Sequence, residues 1–213
     1  MANGFSSALL SQLKPKPRVS VSDWCDKNRY IPTGGSPEPG LFRTSRTPYL
    51  KEPMNIFSNT TQNVIVCMFS SQVGKTEIGL NLISYYSAND PSPIMVLMPT
   101  DGVAEEFSKT RLQNTIEQSP VLRSIYSNKS RSDTSTIDLK VYDGGFVNII
   151  GANAPSKLAS KPIRILIMDE IDRYPDNLAR EGSPILLAIQ RTTNFHNRKI
   201  LLISTPTIAE KSN

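Results

Sequence analysis

An apolar, largely β-branched run, Val64-Ile65-Val66-Cys67-Met68, leads into Phe69-Ser70-Ser71-Gln72-Val73-Gly74-Lys75-Thr76, and this stretch constrains the fold more than any other. A strand that ends in a turn closing on Gly-Lys-Thr, with a helical pattern after it, is the sequence form of a phosphate-binding loop. Backbone N–H groups in such a turn converge on a polyphosphate, and the following helix N-terminus adds partial positive charge. Lys75 is then placed for the β and γ oxygens of a nucleotide, and the Thr76 hydroxyl for Mg²⁺. The first glycine of the usual G-x-x-x-x-G-K-T pattern is missing, because Phe69 holds its place. The tripeptide also arises by chance, so the reading needs independent support.

Two further segments supply it. Ile163-Arg164-Ile165-Leu166-Ile167-Met168 reads as a strand buried on both faces of a parallel sheet, with Asp169 and Glu170 directly after it. Carboxylates there fall at the carboxyl edge, where open α/β sheets bind ligands. Asp169 suits the Mg²⁺ contact and Glu170 suits polarising the water that attacks the γ-phosphate. A strand followed by a solvated acidic turn is the plainer alternative. Lys199-Ile200-Leu201-Leu202-Ile203 is a third apolar strand, ending in Ser204-Thr205-Pro206-Thr207. Its hydroxyls are placed to report nucleotide state, although a simple strand-to-turn exit explains it locally as well. The order of the three strand ends favours the functional reading.

The other residues set bounds. A chain of 213 residues buries one good core, and its formal charge of +5 fits a polyanionic partner without requiring one. Its two cysteines and its single histidine, His196, give no zinc-ligand spacing, and free thiols suit a reducing cytoplasm. No apolar run approaches a membrane span, so no membrane partner is expected. Residues 1–20 read as a loosely held arm in which Phe5–Leu13 forms a short amphipathic helix. Ser22 is the expected cap of the next helix. Residues 21–53 form a proline-rich wrapping segment; past that helix, 31–53 carry Pro32, Pro37, Pro39, Pro48 and Pro53 and are expected to wrap the core in extended form and turns. From 54 to 213 strands and helices alternate: a helix around 75–87, a strand at 94–98, and one helix over about 101–117. A mobile loop at Ser127–Thr136 and a hairpin turning at Asp143-Gly144-Gly145 follow.

In order, these pieces resemble a known family, the N-terminal ATPase half of tailed-phage terminase large subunits of the lambda-like packaging type. Besides the three strand ends, the resemblance rests on Met98-Pro99-Thr100, Phe107-Ser108, Arg111-Leu112, Gly151-Ala152-Asn153, Ile171-Asp172-Arg173-Tyr174-Pro175 and Glu181-Gly182-Ser183-Pro184. It implies an α/β P-loop NTPase of the additional-strand (RecA/ASCE-like) type, with a mainly parallel sheet flanked by helices. It further implies an ATP- and Mg²⁺-dependent hydrolase working as a ring homo-oligomer on a procapsid portal in the host cytoplasm, translocating double-stranded DNA, with a small terminase subunit as partner. Under it, Ser70 to Thr76 hold the phosphates and Thr76 and Asp169 the metal. Lys75 and Glu170 act in catalysis, Ser204 to Thr207 couple hydrolysis to movement, and Arg43 and Tyr49 lie where related motors contact adenine.

Two departures shape the expectations. Related motors often carry an arginine within the phosphate loop, where this chain has Ser71 and Gln72; its role then passes to Arg111, Arg164 or Arg191, or less readily to Lys157 or Lys161, from the same or a neighbouring subunit. A nuclease domain would follow in a complete terminase; Asp133, Asp138 and Asp143 read as surface charge, and no DNA cleavage is expected of these residues. Lys109, Arg111, Lys129, Arg131 and Lys140 are candidate phosphate-backbone contacts. The alternatives are a helicase or remodelling ATPase, which needs a second RecA-like lobe, and an inactive P-loop scaffold that docks a small terminase subunit through residues 1–20.

Overall fold

The computed structural model describes residues 19–34, 37–58, 61–127, 136–158, 161–178 and 182–206. The Phe5–Leu13 helix, nearly all of the 127–136 loop, Lys129, Arg131, Asp133 and Thr207 lie outside them. The chain order is α1 (Val21–Asn28), the two-residue strands β1 (Tyr30–Ile31) and β2 (Gly40–Leu41), α2 (Lys51–Ile56), β3 (Val64–Met68), α3 (Lys75–Ala88) and β4 (Pro93–Met98). Then come α4 (Asp101–Glu106), α5 (Gln113–Gln118), α6 (Pro120–Ser127), β5 (Leu139–Tyr142), β6 (Gly145–Gly151), α7 (Pro155–Leu158), β7 (Ile165–Asp169), α8 (Pro184–Gln190) and β8 (Lys199–Ser204).

The main sheet runs β3-β8-β7-β4-β6-β5. All its pairings are parallel except the β5–β6 hairpin, which turns at Asp143-Gly144. β8 therefore stands between the strand that feeds the phosphate loop and the strand that carries Asp169. That insertion is the additional-strand arrangement. Because the strands are parallel, their carboxyl ends share one edge, and Met68, Asp169 and Ser204 arrive there together.

Alternation along the strands feeds two cores. Cys67, Val96, Ile165, Ile167 and Leu201 face α1, α3 and α6, whereas Met95, Leu97, Leu166, Met168 and Ile200 face Leu158, Ile171, Tyr174 and Ala188. Every residue of β7 is buried, and each Ile or Leu so enclosed contributes about 1.5–3 kcal/mol. β3 forms one margin of the sheet; Val66 and Met68 on one of its faces are 71% and 73% exposed.

α3 is buried continuously from Ile78 to Ser87, because the wrapping segment covers the side facing away from the sheet. Its polar residues are satisfied internally: Ser84 Oγ donates to the Leu80 carbonyl and Ser87 Oγ bonds the Tyr126 hydroxyl. Two local expectations need correction. The cap of α1 is Ser20, whose Oγ accepts from the Asp23 N–H; Ser22 lies within the helix, and its N–H donates to Asn55 Oδ1. The helix expected over 101–117 is not uniform, since Phe107–Leu112 is a π-helical segment between α4 and α5. The wider turn lets Phe107, Ser108 and Leu112 all point inward, and Ser108 Oγ donates to the Ile137 carbonyl.

The wrapping segment grips the core through one charge. Arg29 is fully buried, and its Nη1 lies 2.5 Å from Glu77 Oε2 and donates to Asn81 Oδ1 at 2.9 Å. Phe42 packs against its guanidinium, 5.3 Å from the ring centroid. Removing one partner of a buried pair strands the other. Arg29→Met is expected to cost about 3 kcal/mol, read as a lower urea midpoint, and adding Glu77→Gln should restore part of it. An unchanged midpoint in the single variant would refute the anchoring role.

Candidate nucleotide site

The loop after β3 is held from three sides. The Phe69 N–H donates to the Ser204 carbonyl at 3.0 Å, fixing the loop entrance to the end of β8. The Tyr49 hydroxyl donates to the Val73 carbonyl at 3.0 Å, so the wrapping segment braces the loop from outside. Gly74 precedes α3 with φ +77°, and Leu50 Cδ1 would lie 3.7 Å from a Cβ there. Gln72 and Glu170 are the two non-glycine residues with positive φ among those described, at +60° and +58°. Left-handed backbone in side-chain-bearing residues costs energy and clusters where function needs it. Both belong to this site.

Two side-chain contacts join the three strand ends. Thr76 Oγ1 donates to Asp169 Oδ2 at 3.0 Å, and Lys75 Nζ donates to Thr205 Oγ1 at 2.7 Å. Asp169 is only 4% exposed. Burial pushes its carboxyl above the ordinary value, while the Thr76 hydroxyl bond and the Lys75 charge pull it down. The Glu170 N–H donates to Asp169 Oδ1 at 2.9 Å. The Asp172 N–H donates to Ser204 Oγ, and the buried Tyr174 hydroxyl donates to the Leu97 carbonyl, so the acidic turn is tied to both β8 and β4.

A cavity of about 210 Å³ opens here, walled by Thr76, Asp169 and Glu170 on one side and by Glu106, Thr110 and Arg111 on the other. A second, of about 850 Å³, lies between the wrapping segment and the loop and takes in Arg43, Gln72, Gly74 and Glu77. The Glu77 N–H donates to the Gly74 carbonyl at 3.0 Å, and the N–H groups of Lys75 and Thr76 before it point out of the helix start, which suits oxyanions there. One hydroxyl and one buried carboxylate in contact suit Mg²⁺, which takes few protein ligands and fills its shell with phosphate and water oxygens.

The sequence-derived candidates divide accordingly. Lys75, Thr76, Asp169, Glu170, Ser204 and Thr205 converge, with Ser70 to Gly74 beside them and Pro206 just beyond. Arg43 lines the larger cavity, and Tyr49 touches the loop itself. Arg164 and Arg191 do not reach the site of their own subunit. Arg164 precedes β7 and therefore lies at the opposite sheet edge, where it pairs with Asp90 at 2.7 Å and donates to Ser92 Oγ. The Arg191 carbonyl accepts from the Ile163 N–H at that same edge. Lys157 lies between Asp101 and Asp138, Lys161 stacks on Phe146, and Lys109 pairs with Glu105. Arg173 was not foreseen. Its Nη1 donates to Glu170 Oε2 at 3.1 Å, and the i,i+3 spacing in Glu170-Ile171-Asp172-Arg173 was the available signal.

The sequence pattern of the family described as phage terminase large subunit gpA, ATPase domain, matches residues 36–213. The chain belongs to that family. The ATPase domain is 27% identical over 95% of its length to the terminase large subunit of Escherichia phage lambda, and 28% identical over 97% to that of Enterobacteria phage P21. It spans about a third of the length of these relatives, 31% and 32%. Its fold matches the HK97 bacteriophage large terminase with a TM-score of 0.68 over 89% of this chain and 38% of that one, at 12% identity. It also matches a mutant of the Thermus phage P74-26 large terminase ATPase domain, with a TM-score of 0.50 over 77% of this chain and 65% of that one, at 18% identity.

At Gly74 the obstacle to substitution is conformation, since a Cβ has room. Gly74→Ala is expected to cost about 1 kcal/mol in unfolding free energy and to weaken ATP binding in fluorescence titrations. Unaltered affinity would show that the loop's left-handed turn is not needed for the ligand.

Proposed function

We propose that this domain hydrolyses ATP with Mg²⁺ and, as part of a ring on a procapsid portal in the host cytoplasm, drives double-stranded DNA into the capsid. The observation that carries the reading is the Thr76–Asp169 contact with Lys75–Thr205 beside it, which brings the ends of β3, β7 and β8 to one point. Family membership, shared with relatives named as terminase large subunits, supports a part in phage DNA packaging; the ring, the portal, the duplex and a small terminase subunit as partner belong to the same proposal.

Ser70 to Thr76 cradle the triphosphate through backbone N–H groups, and Lys75 turns from Thr205 to the β and γ oxygens. Thr76 and Asp169 would hold Mg²⁺, which when bound would offset negative charge on the phosphates. Glu170 leaves Arg173, orients the attacking water and accepts its proton; a carboxylate lying just past a buried strand suits that task. The nucleoside extends toward the cavity that Arg43 lines, with Tyr49 bracing the loop through Val73. Ser204 to Thr207 pass the change to the rest of the chain: Ser204 holds Asp172, and Thr205 gains or loses Lys75 with the nucleotide. DNA contacts are non-specific, by Lys and Arg to phosphate, and no DNA cleavage is assigned to these residues.

The test is Mg²⁺-dependent turnover with and without double-stranded DNA. Glu170→Gln is expected to lower kcat by about 10²-fold or more while ATP affinity stays within a few-fold, and any DNA stimulation should weaken with salt. Wild-type turnover that survives undiminished in Glu170→Gln would overturn the assignment of the base. A folded wild-type protein that binds no ATP would overturn the motor reading and leave the scaffold.

A further inference from the structure

The phosphate loop carries Lys75 but no arginine, so a second cation for the transferred phosphoryl group has to come from outside the loop. The geometry points to Arg111, acting within its own subunit, as the cation that contacts the γ-phosphate; this rests on the ATPase reading above. The argument begins with the π-helical segment Phe107–Leu112. A π turn inserts an extra residue, re-aims the side chains around it, and recurs at functional sites. Here it lets Phe107, Ser108 and Leu112 stay buried while Thr110 and Arg111 project into the cavity above Thr76, Asp169 and Glu170.

Among the described residues, Arg111 is the one basic residue lining that cavity. It also lines the larger cavity beside Gln72, Gly74 and Glu77. It thus stands where the two spaces meet, across the mouth of the phosphate loop, and a triphosphate lying on Gly74 to Thr76 passes beneath it. Among the described residues, Arg43 lines only the larger cavity and Arg46 pairs with Glu38, and the other cations near the site are committed. Lys75 bonds Thr205 and serves the β and γ oxygens, and Arg173 pairs with Glu170. Lys109, two residues away on the same segment, pairs with Glu105. Arg111 has no ion pair or side-chain hydrogen bond among the described residues. Glu106, one π turn earlier, lines the same cavity and leaves the site short of positive charge until a cation faces the phosphate.

In the step itself, the water oxygen forms a bond to the γ-phosphorus as the bond from that phosphorus to the β,γ-bridging oxygen breaks. The electron pair goes to ADP, and the water proton goes to Glu170 and then to the released inorganic phosphate. Arg111 gives up no proton. Its planar guanidinium donates hydrogen bonds to the γ oxygens as charge spreads over them.

The experiment compares Mg·ADP binding with and without aluminium fluoride for wild type, Arg111→Ala and Arg111→Lys, alongside ATP turnover. Arg111→Ala is expected to bind ADP within about three-fold of wild type, lose the tightening that fluoride gives, and lose about a thousandfold in kcat. Arg111→Lys should recover part of both. Full tightening in Arg111→Ala would overturn the proposal. Activity restored by mixing Arg111→Ala with Glu170→Gln would also overturn it, because a residue acting on a neighbour's nucleotide can be supplied by the mixture and one acting on its own cannot. Wild-type protein that binds no ADP would instead overturn the nucleotide site, and the role of Arg111 with it; the two failures are separate readouts.

Discussion

The hydroxyl of Thr76 and the carboxylate of Asp169 meet at 3.0 Å, and the rest of the site depends on that contact. It joins the first turn of α3 to the end of β7, two strands away from the strand that precedes α3. The span is bridged by β8, paired in parallel to both β3 and β7. Any slip in either register would move Asp169 along the edge by about 3.3 Å per residue and break the contact. Sheet register, helix start and ligand geometry are therefore one constraint. The energetic cost is visible locally: a carboxyl held in a desolvated position, and left-handed backbone at Gln72 and Glu170. The buried strands around them offset it.

The wrapping segment is the second support. Arg29, Tyr49 and Leu50 reach the loop and its helix from a stretch that looks irregular in sequence, through an ion pair to Glu77, a hydroxyl to Val73 and a methyl against Gly74. These contacts make the proline-rich segment part of the site's scaffold. Helices α1 and α2 of the same stretch pack on α3, which explains why α3 lacks a polar face.

Much of this was legible in the chain. Apolar runs of strand length, each ending in residues that bear chemistry, located β3, β7 and β8 and the edge they share, because side-chain period and the parallel-sheet rule act locally. The fate of Arg164 was legible too: a residue that precedes a parallel strand belongs to the edge opposite the one where that strand's carboxylates lie. What stayed hidden were contacts distant in sequence, or set by a one-residue change of helical pitch. Nothing near Arg29 announces Glu77 as its partner. The π turn leaves no mark on the hydrophobic pattern around Phe107 and Leu112, yet it aims Arg111. Ser20 rather than Ser22 caps α1: Ser22 is already in the first turn, buried, with its backbone N–H bonded to Asn55 Oδ1.

The central claim is that β3, β7 and β8 end in a single metal–nucleotide site. Electron paramagnetic resonance of Mn²⁺ titrated with ATP tests it most directly, since Mn²⁺ takes the same oxygen ligands as Mg²⁺. The account predicts about one tightly held Mn²⁺ per chain, bound only with nucleotide and showing coupling to phosphorus, and lost in both Thr76→Ala and Asp169→Asn. Mn²⁺ and ATP held equally tightly by both variants would contradict it.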